Sequence, residues 1–197
     1  MNMEQVHELL FQALEVEQGG VRVYETALRC ASNQELREEW QEYLEQTRNH
    51  EQILRKVFEE LVLDANQETP GRLIVREKGR ALVALMERAL AAGNLEAAQL
   101  VAAECIIDAE TRDHLNWELI GRVATEMKGH EARALKDAYK QVEEQEDEHL
   151  YHTMGWAREL WIDSMGLPAV LPPPEEQKDV RSAIDAAKAK KSREKML

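Results

Sequence analysis

Residues 142–156 read VEEQEDEHLYHTMGW and place Glu146 and His149 one helical turn apart. Residues three apart share a helix face. Steps of three and four along this segment give Leu135, Tyr139, Val142, Glu146, His149, Thr153, Trp156 and Leu160. That is the apolar stripe of an amphipathic helix with a carboxylate and an imidazole in its middle. Charged groups are rare on a buried face unless paired or bound to metal, so the interruption needs a chemical reason.

The surrounding chain is helical in composition. It has 197 residues, is rich in Ala, Leu, Glu, Gln and Arg, and has only 9 Gly, 5 Pro and 2 Phe. Such a sequence favours helix over sheet throughout. An all-α fold of one domain plus a tail is expected. The net charge of −13 argues against nucleic-acid partners, which need a basic surface. No apolar run reaches the roughly 20 residues of a membrane span, and MNMEQVHELL lacks the regions of a signal peptide. A cytoplasmic location without membrane association is expected. Cys30 and Cys105 have no ligand-like spacing and read as buried reduced thiols.

Taken in order, residues 3–31 form a helix whose stripe is broken at Glu17, and residues 33–64 a second, broken at Thr47 and His50. Ser32 with Glu35 reads as a capping box between them, and so short a connection makes an antiparallel hairpin. Glu17 and Thr47 each lie about 15 residues from that turn, hence roughly 22 Å from it along the bundle. Residues 65–78, with Thr69-Pro70-Gly71, read as a long crossing loop. An accessory helix at about 78–92 follows. Asn94 caps a long helix, broken at Glu110 and His114, and the Lys128-Gly129 turn leads to the last. The bundle is thus expected over 1–166, with a proline-containing spacer and a basic helical tail over 167–197.

The two hairpins also superimpose as sequences. EQTRNH (Glu45 to His50) matches EQEDEH (Glu144 to His149), which sets Thr47 on Glu146 and His50 on His149; Glu17 then matches Glu110. The four interruptions fall at matching heights. With these residues, and with segments such as LEQTRNHEQILRKVFEEL and AAECIIDAETRDHLNWELIG, the chain resembles the ferritin-like superfamily. It looks nearer to the small rubrerythrin-like and bacterial stress-related members than to cage ferritins. The resemblance implies an antiparallel four-helix bundle of two hairpins with a long crossover. It also implies a site of two iron or manganese ions, built from single glutamates and Glu-x-x-His pairs. Carried over, Glu17, Glu110, Glu146, His50 and His149 are the metal ligands, and Thr47 departs from the pattern where a Glu is expected. His114, one turn from Glu110, is a further candidate that would make up the deficit.

The function implied is reaction with oxygen or peroxide, as an oxidase, a peroxidase or an iron-handling protein, in a homodimer. No residue identifies an organic substrate or a redox partner. A different reading keeps the bundle and drops the chemistry: a scaffold or interaction protein with a degenerate site, favoured by Thr47. Metal storage is a third. Tyr24, Tyr43 and Trp117 stand close enough to relay electrons, although aromatic residues at helical spacing are ordinarily core.

Overall fold

The computed structural model describes residues 1–168. Among them are the helices α1 (Met3–Cys30), α2 (Gln34–Glu60), α3 (Pro70–Ala91), α4 (Leu95–Glu126) and α5 (His130–Ser164), and no strand. Side-chain caps set four of the five starts: Asn2, Asn33, Thr69 and Asn94 each accept a hydrogen bond from a backbone N–H of the first turn. The α2 cap is Asn33, not Ser32 as the capping-box reading had it. Asn94 caps α4 as expected.

Helix α1 packs on α2 and α4, and α5 packs on the same two, so α1, α2, α5 and α4 close a ring of neighbours. Helix α3 lies outside this ring against α1 and α4. Short turns at 31–33 and 127–129 make each hairpin antiparallel. The Gln99 side chain accepts from the backbone N–H groups of Ser32 and Asn33, which ties the start of α4 to the α1–α2 turn. At the other end, Thr69 donates to Glu8 and Arg72 to Glu15. The crossover between hairpins is therefore carried by α3, whose 22 residues span about 33 Å.

This corrects the expected loop over 65–78 and the short helix over 78–92. The Pro70-Gly71 pair reads as a break, yet proline is well suited to the first helical position, where its missing N–H costs nothing. Helix α3 is fastened by Glu15, which is buried and accepts from Arg72 and twice from Arg76, each at 2.8 Å. Burial alone would raise the Glu15 pKa, but the hydrogen bonds and charges of Arg76 and Arg72 together hold it below the ordinary range. At Gly79 an added Cβ would stand 3.7 Å from the Gly19 Cα, an ordinary van der Waals contact, so the two helices run close at their glycines.

The bundle interior is two apolar clusters with a polar layer between them. One, at the α1–α2 turn, includes Tyr24, Leu36, Trp40, Tyr43, Ile106 and Trp156. The other includes Leu10, Phe11, Leu54, Phe58, Ile120 and Leu135, with Phe11 edge-on to Phe58 at 5.3 Å. Both cysteines are free and buried, and no helix among the described residues is long and apolar enough to cross a membrane. Of the expected spacer and basic tail, residues 169–197 lie outside the described residues.

Candidate metal centre

The layer between the clusters holds Glu17 from α1, His50 from α2, Glu110 from α4, and Glu146 with His149 from α5, each at most 3 % exposed. Their ligand atoms form two groups, each within 4.8 Å: Glu17, His50 and Glu146, and Glu110, Glu146 and His149. Glu146 belongs to both. The His50 Nδ1 lies 2.8 Å from Glu146 Oε1 and 3.8 Å from Glu17 Oε1. The His149 Nδ1 lies 3.6 Å from Glu110 Oε2 and 3.8 Å from Glu146 Oε1. The rings themselves are 5.6 Å apart and nearly parallel.

Each imidazole is aimed by the other hairpin. His50 Nε2 is 2.7 Å from Gln145 Oε1, and His149 Nε2 is 2.6 Å from Gln46 Oε1. An amide oxygen only accepts, so the ring proton sits on Nε2 and the Nδ1 lone pair turns toward the carboxylates. This is the outer hydrogen bond that metal-binding histidines ordinarily carry. Gln46 and Gln145 occupy the same place in the two EQ-x-x-x-H segments, so the signal for them was present in the repeat.

The donor set fits a cation. The Nδ1 atoms of both histidines, both oxygens of Glu146, Oε2 of Glu17 and Oε2 of Glu110 are buried with no hydrogen-bond partner, although such atoms are nearly always paired. Glu17 does accept from Trp117 Nε1 at 2.8 Å through its other oxygen. Burial, then the charge of Glu146, pushes the Glu17 pKa well above its ordinary value despite the Trp117 hydrogen bond. Burial, then Glu110, raises Glu146 to about 8. Buried carboxylates this close cannot all ionise without a counter-charge, and divalent ions supply one. Burial also lowers the His50 pKa, which keeps its imidazole neutral, the form that ligates.

Not every expected residue joins the layer. His114 points toward α5, its Nδ1 3.5 Å from Asp147 and its ring edge-on to Tyr151 at 5.9 Å, and it stands outside both groups. The buried face of α4 runs Ile106, Glu110, Asp113, Trp117, Ile120 and Ala124. It passes one position to the side of the stripe that contained His114. Asp113 and Asn116 on that face were missed. Thr47 is buried where a Glu was expected, its hydroxyl donating to the Tyr43 carbonyl at 2.9 Å.

Aromatic residues border the layer. The Tyr43 ring lies 4.3 Å from that of His149, and its hydroxyl donates to Glu39 at 2.6 Å and lies 3.1 Å from His152 Nδ1. His152 is thus part of a polar cluster with Glu39 and Tyr43. Beneath α3, a cleft of about 360 Å³ is lined by Val16, Gly20, Val23, Ile74 and Leu82, with Arg112 and Lys78 also on its wall. Gly20 borders both regions, since a Cβ added to it would meet the Thr47 methyl at 3.1 Å. No family profile, curated protein or solved structure matches the chain.

Proposed function

We propose that the chain is a ferritin-like dinuclear metal protein that binds iron or manganese and reacts with dioxygen or peroxide. The observation that carries this reading is the pair of buried Glu–His groups sharing Glu146. Glu17 and His50 would hold one ion, Glu110 and His149 the other, and Glu146, present in both groups, would serve each. Bound ions of this kind would supply the redox chemistry with the oxidant. The protein's part is to set the ligands and exclude water. Gln46 and Gln145 fix the ring orientations, Trp117 orients Glu17, and the two apolar clusters close the layer from above and below.

Thr47 favours a second reading, a scaffold whose centre has decayed. Elemental analysis separates the two. Protein expressed with ample iron and manganese carries metal in the wild type and background amounts in Glu146→Ala and His149→Ala. Wild-type protein with no more metal than these variants would leave the scaffold. Where metal is present, an absorbance change on adding peroxide or oxygen to the ferrous form distinguishes redox chemistry from storage.

A further inference from the structure

Thr47 leaves the α1–α2 hairpin one carboxylate short, while α4 carries one that the expected pattern does not use. Asp113 is 4 % exposed, and its Oδ1 has no hydrogen-bond partner. It follows Glu110 by three residues, so the two side chains leave the same face of α4 one turn apart. Its neighbours fix its height. His114 reaches Asp147 beside Glu146, and Trp117, one turn further along α4, donates to Glu17. Asp113 therefore stands at the level of the group formed by Glu17, His50 and Glu146. Asn116, one turn beyond Asp113 on the other side, is also fully buried with both amide atoms unpartnered.

Charge balance gives Asp113 its role. Glu17, Glu110 and Glu146 bring three negative charges against the four positive charges of two divalent ions. A residual charge in an apolar core is strongly disfavoured. The Thr47 hydroxyl is neutral and engaged with its own helix. Asp113, deprotonated as the ions bind, would supply the fourth charge. In keeping with that position, burial first, and then the charges of Glu17, Glu146 and Glu110, raise its pKa well above the ordinary carboxylate value. Asp113 stands outside the two 4.8 Å groups, and its unpartnered oxygen is free to turn toward an ion as it binds.

We propose that Asp113 is the fourth carboxylate of the centre, serving the ion held by Glu17, His50 and Glu146 and supplying from α4 the charge that α2 lacks at Thr47. The inference rests on the dinuclear reading. It makes the ions unequal: the first has three carboxylates and an imidazole, the second two carboxylates and an imidazole.

The test is an anaerobic titration of the full chain with Mn(II), followed by calorimetry and by the resonance signal of free Mn(II). Wild type, Asp113→Asn and Glu110→Gln are compared, with the melting of each metal-free form. Wild type is expected to bind in two steps. Asp113→Asn weakens one step by about ten- to a hundredfold, the scale of losing a supporting group at a metal site. Glu110→Gln weakens the other. The metal-free Asp113→Asn protein melts no lower than wild type, because it has lost an acid and kept the shape. Two wild-type steps that persist unchanged in Asp113→Asn overturn this inference alone. A variant whose metal-free form melts well below wild type makes Asp113 structural and also overturns it. A wild type that binds no Mn(II) overturns the dinuclear reading and this inference together.

Discussion

The two hairpins are built to one plan and differ in charge. Each places a glutamate on its first helix, a histidine on its second, and a glutamine four residues before that histidine. Each glutamine holds the histidine of the opposite hairpin, at 2.7 and 2.6 Å. The α1–α2 hairpin contributes one carboxylate to the two ligand groups, Glu17, while α4–α5 contributes Glu110 and Glu146 and buries a further acid, Asp113, outside them. The shared geometry orients two imidazoles, and the unequal charge sets their two surroundings apart. A duplicated frame thus keeps its hydrogen bonds while its acids are redistributed.

The largest break in this comparison is at Glu146, the residue both groups share. Ligand binding at a hundredfold excess over Kd stabilises a fold by about 2.7 kcal/mol. Glu146→Ala is expected to remove that increment entirely, read as the loss of any rise in Tm when metal is added. Glu110→Gln, which touches one group only, keeps part of the rise.

The same carboxylate gives the metal-free protein an unusual pH dependence. Its folded pKa, about 8, is above the ordinary 4.5, so the folded state binds the proton more tightly. Its favourable contribution is complete below 4.5 and is lost as pH rises through about 8. His50 has the opposite sign: its lowered pKa costs stability as pH falls below 6.5. Between 6.5 and about 8 the His50 effect is absent. The loss from Glu146 there adds to a loss of the same sign from Glu17 and Asp113, whose pKa values are also raised by burial and by the charge of neighbouring carboxylates. The Tm of the metal-free wild type should fall across that interval, and the fall should be reduced in Glu146→Gln. The fall left in Glu146→Gln is the share of Glu17 and Asp113, and an equal fall in both proteins would show that Glu146 does not titrate there.

A finer cut separates the hairpins one imidazole at a time. Gln145→Leu frees His50 and Gln46→Leu frees His149, and each should weaken metal binding about ten- to a hundredfold. If the carboxylates make the ions unequal, the two variants weaken different titration steps. If the same step weakens in both, the two groups behave as one site.

Much of this layer was legible because charge on an apolar stripe is conspicuous, and four such interruptions at one height are more so. Glu17, His50, Glu110, Glu146 and His149 follow from periodicity and from the repeat. Asp113 and His114 could not be separated that way. Both lie one turn from Glu110, and a helix at about 100° per residue turns them to opposite sides of it. The choice depends on how α4 is rotated against α1 and α5, which only packing decides. Helix α3 escaped for a different reason. Its apolar face is weak, with Leu73, Ile74 and Leu85 exposed, and the Arg72 and Arg76 contacts to Glu15 that anchor it join residues far apart in sequence.

The smallest difference between the hairpins lies where each ends. After α5, Gly166 has φ 68°, its N–H bonds the Asp163 carbonyl, and the Leu167 N–H bonds that of Ile162. After α2, Val62 has φ 55°, with its N–H on Glu59 and the Leu63 N–H on Phe58. Both are the same helix-ending motif, which places one residue in the left-handed region. Glycine adopts that conformation without penalty, whereas a β-branched residue there is an outlier costing roughly 1–2 kcal/mol. The Val62 side chain is 91 % exposed, so little packing offsets the strain. Val62→Gly should therefore stabilise the fold by about 1 kcal/mol, the strain relieved less the added chain entropy of glycine. Gly166→Val should cost a similar amount. Denaturant unfolding of both variants checks the pair, and a Val62→Gly protein less stable than wild type would mean that the exposed valine is held by contacts stronger than its strain.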